Sequence, residues 1–233
     1  MSEPQVVLWN DDGYDDTSLV ELVASVLKID DPIFLYPRKN RTGHGGFLRV
    51  NETIKVQRTV ALNRDVLIAD GYPAEFPYIV QNLYGPEVIA LCVNRGWNTG
   101  LDALNSATVM SIMQAMWIGI PGLAISFSSK DHDFDSVMAR EKLLSHYLDF
   151  CIAEGRSYSI NVPDEWNGHL LELQHFNRVV RSTQVEREDI QVYEKEDPVA
   201  SIFRLTDTDV QSEDLNSLRR GTAVVVDLLE AGY

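Results

Sequence analysis

Two adjacent carboxylates near the N-terminus are the most informative feature of this 233-residue chain. They belong to Asp11 and Asp12, and they follow an apolar run, residues 6–9, that predicts a buried strand. Ligands of open α/β sheets bind beyond the carboxyl ends of the strands, so chemistry is expected at this point. Two neighbouring carboxylates repel each other unless a cation lies near them. The pair therefore indicates a metal site, and a simple turn at Asp12-Gly13 is the alternative.

Two further loops carry compact oxygen ligands directly after strand-like segments. The first occupies residues 40–45 and contains Thr42, and the second begins at Asn94. Joined to the aspartate pair, these loops would supply two carboxylates, a hydroxyl and an amide oxygen. Such an all-oxygen set suits Mg²⁺, Mn²⁺ or Ca²⁺ and does not suit zinc. The candidate cofactor is therefore a divalent metal ion.

A third loop carries hydroxyl side chains where a helix is predicted to begin. Ser106 and Thr108 lie at this start, and apolar residues at helical spacing follow them. The first backbone N–H groups of a helix have no partner inside the helix, and they favour an anion placed at that end. We therefore expect a phosphate-binding site here.

Strand-like and helical patterns alternate through the first two-thirds of the chain. Apolar runs predict strands over residues 6–9, 32–36, 88–93, 123–127 and 157–162, and residues 48–70 indicate one or two hairpins. Helical periodicity marks residues 18–27, 75–84, 106–118 and 136–153, the last with Leu143, Leu144, Tyr147, Leu148, Cys151 and Ile152 facing inward. This alternation predicts an α/β fold with a mostly parallel sheet flanked by helices.

The pattern changes after Pro163. Short β candidates separated by charged segments follow, at residues 170–173, 177–180, 190–193 and 200–205. A brief helix at residues 213–219 and a strand at residues 224–229 come last. We therefore predict an α/β core over residues 1–162 that carries the metal and phosphate site, and a β-hairpin-rich C-terminal extension over residues 163–233.

Charge and hydropathy argue against several functional classes. The net charge of −15 is unfavourable for binding a nucleic-acid polymer or an anionic membrane. The longest apolar stretch, residues 115–127, is too short to span a bilayer. Cys92 and Cys151 fall in apolar stretches, which is typical of a reducing compartment, and the N-terminus lacks the pattern of a signal peptide. We expect a cytoplasmic protein that binds neither a nucleic-acid polymer nor a membrane.

Several motifs follow one another along the chain. They are Asn-Asp-Asp-Gly at residues 10–13, Asn-Arg-Thr-Gly at 40–43, a segment rich in asparagine and glycine at 93–100, Asn-Ser-Ala-Thr-Val at 105–109, Gly-Ile-Pro at 119–121, Asn-Val-Pro at 161–163, and the ending from Thr206 to Leu229. In this order they resemble the motifs of the SurE family, the survival-protein nucleotidases, with Thr42 in place of the family's serine. The resemblance covers nearly the whole chain.

The resemblance implies a Rossmann-like sheet and the hydrolysis of nucleoside monophosphates by a 5'/3'-nucleotidase. It implies that four residues bind the divalent metal ion: Asp11, Asp12, Thr42 and Asn94. It places contacts to the substrate or its phosphate on Gly43, Asn98, Ser106 and Thr108. Asp11 and Asp12 are also the expected catalytic residues, and the sequence leaves open which of them orients or deprotonates the attacking water. The C-terminal extension is then an oligomerisation arm of a homodimer or homotetramer.

The chain departs from the family pattern around the expected substrate pocket. Asn105, Ala107 and Gln114 stand where the family has a tyrosine, a glycine and an acidic residue. Ala107 would be strained if its position required a positive φ. The family's Gly-Thr-Pro-x-Asp segment is replaced here by Gly71-Tyr72-Pro73-Ala74-Glu75. These changes keep open the alternative of a catalytically impaired relative that still binds metal.

Two other classes of protein also place acidic residues after a first strand. A receiver-like phosphoacceptor module fits less well because residues 50–56 offer no aspartate to accept the phosphoryl group, although Lys130 superficially fits its lysine. A phosphatase of the haloacid-dehalogenase type needs two aspartates separated by one residue, whereas these two are adjacent. A metal-dependent phosphomonoesterase is therefore the leading hypothesis.

Two ring side chains lie in the loops of the expected site. Trp97 could stack on a nucleobase or could simply pack against the protein. His44 could donate a hydrogen bond to the substrate, and the alternative is an exposed loop histidine without a role.

Overall fold

The computed structural model describes residues 4–61, 64–173, 183–188, 202–207 and 213–229. The strands are β1 Gln5–Trp9, β2 Ile33–Pro37, β3 Val56–Ala61, β4 Arg64–Ala69, β5 Val88–Arg95, β6 Gly122–Phe127, β7 Tyr158–Asn161, β8 Leu170–Leu173, β9 Thr183–Glu188, β10 Ile202–Asp207 and β11 Ala223–Asp227. The α-helices are α1 Ser18–Val26, α2 Phe76–Tyr84, α3 Ala107–Trp117, α4 Phe134–Met138, α5 Glu141–Glu154 and α6 Glu213–Arg219, and 3₁₀ turns cover Pro73–Glu75 and Gly100–Asn105.

Nine of these described strands form one sheet, in the order β3-β4-β2-β1-β5-β6-β7-β11-β8. Neighbouring strands are parallel except in the β3–β4 and β7–β11 pairs, which are antiparallel. Strand β5 is buried along nearly its whole length, as expected when helices cover both faces of a parallel sheet. The predicted α/β fold with a mostly parallel sheet is confirmed.

Successive strand residues point to opposite faces of the sheet, so each face has its own apolar core. On one face, Val6 and Leu8 of β1 belong to a core that includes residues of α1 and α5. On the other face, Val7 and Trp9 belong to a core that includes residues of α2 and α3. Because β2, β1, β5 and β6 are parallel neighbours, their carboxyl ends share one edge of the sheet. The loops that follow these four strands therefore meet at that edge.

The single long helix predicted over residues 136–153 is wrong. Two helices, α4 and α5, occupy this region, and the break lies at Ala139 and Arg140. The buried guanidinium of Arg140 donates hydrogen bonds to the carbonyl oxygens of Ser136 and of Pro163, the latter at 3.2 Å. This contact ties the break to the segment after β7, which apolar periodicity does not reveal. Ile152, predicted to face inward, is 46% exposed.

Residues 48–70 contain one hairpin, β3–β4, whose second strand pairs with β2 in parallel.

In the predicted C-terminal extension, β8 and β11 join the main sheet, whereas β9 and β10 pair with each other in a separate antiparallel ribbon. The β candidates at residues 177–180 and 190–193 lie outside the described residues. Strand β9 was not predicted, because Val185 is its one apolar side chain. Within the described parts of the chain, no helix is long and apolar enough to cross a membrane.

Candidate active site

The loop after β1 is closed by the side chain of Asn10. Its Oδ1 accepts a hydrogen bond from the Gly13 N–H at 3.1 Å, and its Nδ2 donates to the carbonyl oxygens of Gly13 at 3.1 Å and Asp16 at 2.5 Å. Gly13 has a φ of +112°, and a Cβ there would lie 3.0 Å from the backbone nitrogen of Asn40. Asn10 and Gly13 are therefore required by the turn, and they present the two aspartates between them.

Asp11 is the more buried of the two carboxylates, with 2% of its surface exposed. Its Oδ1 accepts a hydrogen bond from the Thr108 hydroxyl at 3.3 Å, and its carbonyl oxygen accepts one from the Arg41 N–H at 2.6 Å. Burial, and secondarily the charge of Asp12, raise the pKa of Asp11 to about 7. Burial is the main influence on the pKa of this carboxylate, and a cation bound beside it would oppose that influence.

Asp12 is half-buried and lies beside the loop that follows β2. Burial raises its pKa, and a hydrogen bond from Thr42 opposes this shift. The Thr42 hydroxyl donates to Asp12 Oδ1 at 3.2 Å, while the Thr42 N–H donates to the side chain of Asn40 at 2.9 Å. A backbone hydrogen bond from Arg95 also reaches Asp12. The loops after β1, β2 and β5 therefore converge on this carboxylate.

Asn94, the penultimate residue of β5, has an unpaired side-chain oxygen. Its Nδ2 donates to the carbonyl oxygen of Gly96 at 2.7 Å, whereas its Oδ1 is buried and has no hydrogen-bond partner in the described structure. Trp9 pairs with Cys92 in the β1–β5 register, so Asp11 and Asn94 each lie two residues beyond this pair. A buried amide oxygen without a donor costs free energy unless a ligand or water satisfies it.

These observations fit a divalent cation. Two carboxylates with raised pKa values, a hydroxyl and an unpaired amide oxygen form a hard, all-oxygen set, which Mg²⁺, Mn²⁺ and Ca²⁺ prefer. In the part of the chain that the structure describes, no group of three or more His, Cys, Asp or Glu side chains could hold a metal ion. A metal site at this edge would therefore depend on the Thr42 hydroxyl and the Asn94 amide as well as on the two aspartates.

The two hydroxyls at the start of α3 have different surroundings. Ser106 is the N-cap, and its Oγ accepts a hydrogen bond from the Val109 N–H at 3.2 Å, so its hydroxyl proton is available to another acceptor. Thr108 is fully buried and donates to Asp11. Ala107 begins the helix and is fully buried. The position of Ala107 is helical and has no positive φ, so the condition under which alanine would be strained is not met.

Asn98 has structural partners of its own, whereas Gly43 lies in an open part of its loop. Asn98 donates from Nδ2 to the Ser126 hydroxyl at 2.7 Å, and its backbone exchanges hydrogen bonds with the Asn161 side chain at 2.7 and 2.9 Å. Gly43 has a φ of +74° with open space around its Cβ position. Trp97 donates from Nε1 to the carbonyl oxygen of Val162 at 2.7 Å. Substrate contacts by Asn98 and Gly43 stay predictions.

Arg95, which sequence reasoning did not single out, links the loops of this edge. Its guanidinium lies 3.2 Å from Asp16, donates to the Ser18 hydroxyl at 3.0 Å, and reaches the Lys130 carbonyl oxygen at 3.3 Å. It therefore joins the loops after β1, β5 and β6. The one available signal was its position directly after Asn94 at the end of a predicted strand.

Comparison with known proteins gives the chain a family. The model of the family described as survival protein SurE matches residues 6–189. A 5'/3'-nucleotidase SurE of Edwardsiella ictaluri is 28% identical over 163 residues, which are 69% of this chain and 63% of that protein. A 5'/3'-nucleotidase SurE of Photorhabdus laumondii is 28% identical over 204 residues, which are 85% of this chain and 77% of that protein. The chain thus spans less than two-thirds of the length of the Edwardsiella relative.

A solved structure supports the same assignment at the level of the fold. The crystal structure of the SurE protein from Aquifex aeolicus superimposes with a TM-score of 0.73 at 22% identity, and the match covers 97% of this chain and 94% of that one. The family match extends over more than half of the chain and includes the loops that carry Asp11, Asp12, Thr42 and Asn94. The chain therefore belongs to the SurE family.

Proposed function

We propose that this protein is a divalent-metal-dependent phosphomonoesterase that hydrolyses nucleoside monophosphates, that is, a 5'/3'-nucleotidase. The observation that carries the proposal is that the Thr42 hydroxyl donates to Asp12 beside the buried Asp11, at the same edge of the sheet as the unpaired Asn94 oxygen. The Edwardsiella and Photorhabdus relatives are 5'/3'-nucleotidases by name, which supports the same activity.

Four residues would hold the metal ion: Asp11, Asp12, Thr42 and Asn94. We expect Mg²⁺ or Mn²⁺, with Ca²⁺ as a further possibility, because the ligand atoms are all oxygen. When bound, such an ion supplies Lewis acidity toward the phosphoryl oxygens and lowers the pKa of a coordinated water. The cation also offsets the repulsion between an anionic substrate and a chain with a net charge of −15.

The protein's own groups would position the substrate and the water. The N-terminus of α3, with the free hydroxyl proton of Ser106, favours the phosphate group by charge and by hydrogen bonding. Gly43 and Asn98 are the further proposed substrate contacts. Thr108 fixes the orientation of the Asp11 carboxylate. Asp12 is the more accessible carboxylate, so we assign to it the orientation or deprotonation of the attacking water.

The assembly and the cellular location belong to the same proposal. We expect a homodimer or homotetramer in which the β9–β10 ribbon and its flanking segments act as the arm, because a two-stranded ribbon is seldom stable alone. Cys92 and Cys151 are buried free thiols, in keeping with a reducing compartment such as the cytoplasm.

A phosphate-release assay tests the activity. Nucleoside monophosphates, other phosphomonoesters and short polyphosphate are supplied with Mg²⁺, with Mn²⁺, or with EDTA. We expect metal-dependent release from nucleoside monophosphates and its loss in Asp11→Asn. Metal binding without turnover would instead identify a catalytically impaired relative. A stable phosphoprotein after treatment with a small phosphodonor would favour the receiver-like alternative.

A further inference from the structure

Three ring side chains form a cluster beside the proposed metal loop, and we call His44, Phe47 and Tyr72 the aromatic platform. The ring centroids of Phe47 and Tyr72 are 4.7 Å apart at an interplanar angle of 63°, and those of His44 and Tyr72 are 5.2 Å apart at 45°. Such offset and edge-to-face contacts are the favoured geometries of aromatic pairs. The cluster joins Tyr72 to residues that are 25 and 28 positions away in the sequence, so periodicity does not reveal it.

The aromatic platform is connected directly to the loop that carries Thr42. The Nδ1 of His44 lies 2.9 Å from the carbonyl oxygen of Arg41 and 3.2 Å from that of Thr42. Since carbonyl oxygens only accept hydrogen bonds, Nδ1 carries the proton and the ring is held against this backbone. A Cβ on Gly45 would lie 3.5 Å from the carbonyl oxygen of Asn105. Residues 42–45 therefore lead from the proposed metal ligand Thr42 to a position beside Asn105, which precedes the N-cap of α3.

Tyr72 is the support of the aromatic platform. The Arg41 guanidinium lies 4.2 Å from its ring centroid and the Arg49 guanidinium 5.3 Å from it. Arg49 donates to both carboxylate oxygens of the buried Glu75, at 3.1 and 2.9 Å, and Glu75 also accepts from the Tyr72 N–H at 2.8 Å. These bonds fix Tyr72 before any ligand arrives.

The outer rings of the aromatic platform face solvent. His44 is exposed, and 51% of the Phe47 surface is exposed although Tyr72 beneath it is half-buried. An exposed ring on a rigid support, next to a phosphate site, offers a stacking surface at little cost in conformational entropy. A nucleobase presents a flat π face and stacks on aromatic side chains. A phosphate ester without a base presents no such face.

We propose that Phe47 and His44, held on Tyr72, form the stacking surface for the nucleobase of the substrate and so determine the preference for nucleoside monophosphates. This inference rests on the proposed function, because the phosphate must lie at the neighbouring edge of the sheet. It assigns specificity to side chains that stand outside the metal and phosphate set.

The experiment compares a substrate that has a base with one that lacks it. Steady-state kinetics are measured with AMP and with ribose 5-phosphate for the unmodified protein, Phe47→Ala, Phe47→Trp and Val50→Ala. Val50 lies three residues further along the segment and is 77% exposed, so Val50→Ala removes a comparable apolar side chain outside the platform. We expect Phe47→Ala to raise KM for AMP about 5- to 100-fold with a smaller change in kcat. Ribose 5-phosphate kinetics should be unchanged, and Phe47→Trp should retain the preference.

Equal loss with both substrates would mean that Phe47 has only a structural role, and an unchanged KM for AMP would overturn the proposal. A second measurement does not depend on turnover. Binding of adenosine, which has no phosphate, is followed by ligand-observed NMR in the same variants. Binding that Val50→Ala retains and Phe47→Ala loses supports the platform even if no phosphomonoester is hydrolysed, in which case only the proposed function fails. Absence of adenosine binding to the unmodified protein would refute the platform.

Discussion

The buried hydroxyl of Thr108 donates a hydrogen bond to Asp11 Oδ1 at 3.3 Å, and this bond links the first turn of α3 to the loop after β1. The two residues are 97 positions apart in the sequence. The bond lowers the pKa of Asp11, although burial and the charge of Asp12 outweigh it. The helix that would receive the phosphate is therefore coupled to the carboxylate that would bind the metal.

Thr108→Val removes this hydroxyl with almost no change of shape. Thr108 would hydrogen-bond to a metal-binding carboxylate without touching the metal itself. Loss of such a group is expected to lower metal affinity or turnover about 10- to 100-fold. A buried carboxylate left without its donor should also lower the free energy of unfolding by about 1–3 kcal/mol. Isothermal titration with Mn²⁺ and chemical denaturation measure the two effects. Thr108→Ser retains the hydroxyl and serves as the control; equal behaviour of the valine and serine variants would contradict the prediction.

Asp11→Asn should abolish the proposed metal site. The asparagine keeps the size of the side chain and removes its charge. Metal affinity should therefore fall by more than the roughly 10- to 100-fold expected for a residue that only hydrogen-bonds to a metal ligand. The metal-free variant should be at least as stable as the unmodified protein, because a buried carboxylate without a cationic partner is unfavourable. Mn²⁺ titration and denaturation in EDTA measure both quantities.

Two variants control this result. Asp15→Asn removes an exposed carboxylate of the same loop and should leave metal affinity intact. Thr42→Ser keeps the hydroxyl ligand and should be tolerated. Unchanged metal affinity and phosphatase activity in Asp11→Asn would place the site elsewhere.

Ser106→Asp separates the capping role of Ser106 from its proposed contact with phosphate. Aspartate caps a helix about as well as serine does, so the free energy of unfolding should stay within about 0.5 kcal/mol of the unmodified value. Its negative charge should repel the phosphate group, and turnover of nucleoside monophosphates should fall about 100-fold or more. Ser106→Ala, in contrast, should lose about 1 kcal/mol of stability. Full activity of the capped, charged variant would show that phosphate binds away from this turn.

Deletion of residues 190–205 tests the oligomerisation arm. The deletion removes part of β10, and residues 190–201 within it lie outside the described structure. We expect the sedimentation coefficient to shift toward that of the monomer and the melting temperature to fall. The Mn²⁺ affinity should be retained, because the proposed ligands all lie in the loops after β1 and β2 or near the end of β5. A full-length protein that sediments as a monomer at micromolar concentration would rule out the arm.

The sequence by itself determined the fold class and the candidate ligands. Apolar runs such as residues 6–9 and 88–93 alternate with helical stripes, and this local pattern is sufficient for an α/β sheet because burial on one or two faces dictates the periodicity. The polar residues directly after these runs, Asp11, Asp12 and Asn94, then fall at one edge by the geometry of parallel strands. The order of the motifs along the chain resembles that of the SurE family, so the family could also be recognised from the sequence.

The tertiary structure alone decided how these groups interact. The break between α4 and α5 depends on Arg140, which reaches the carbonyl oxygen of Pro163. The aromatic platform depends on Tyr72, which contacts Phe47 although the two are 25 positions apart in the sequence. The raised pKa of Asp11 and the unpaired oxygen of Asn94 depend on burial by many elements at once. Such contacts join distant residues, and desolvation is a property of the packed surroundings, so neither is encoded in local spacing.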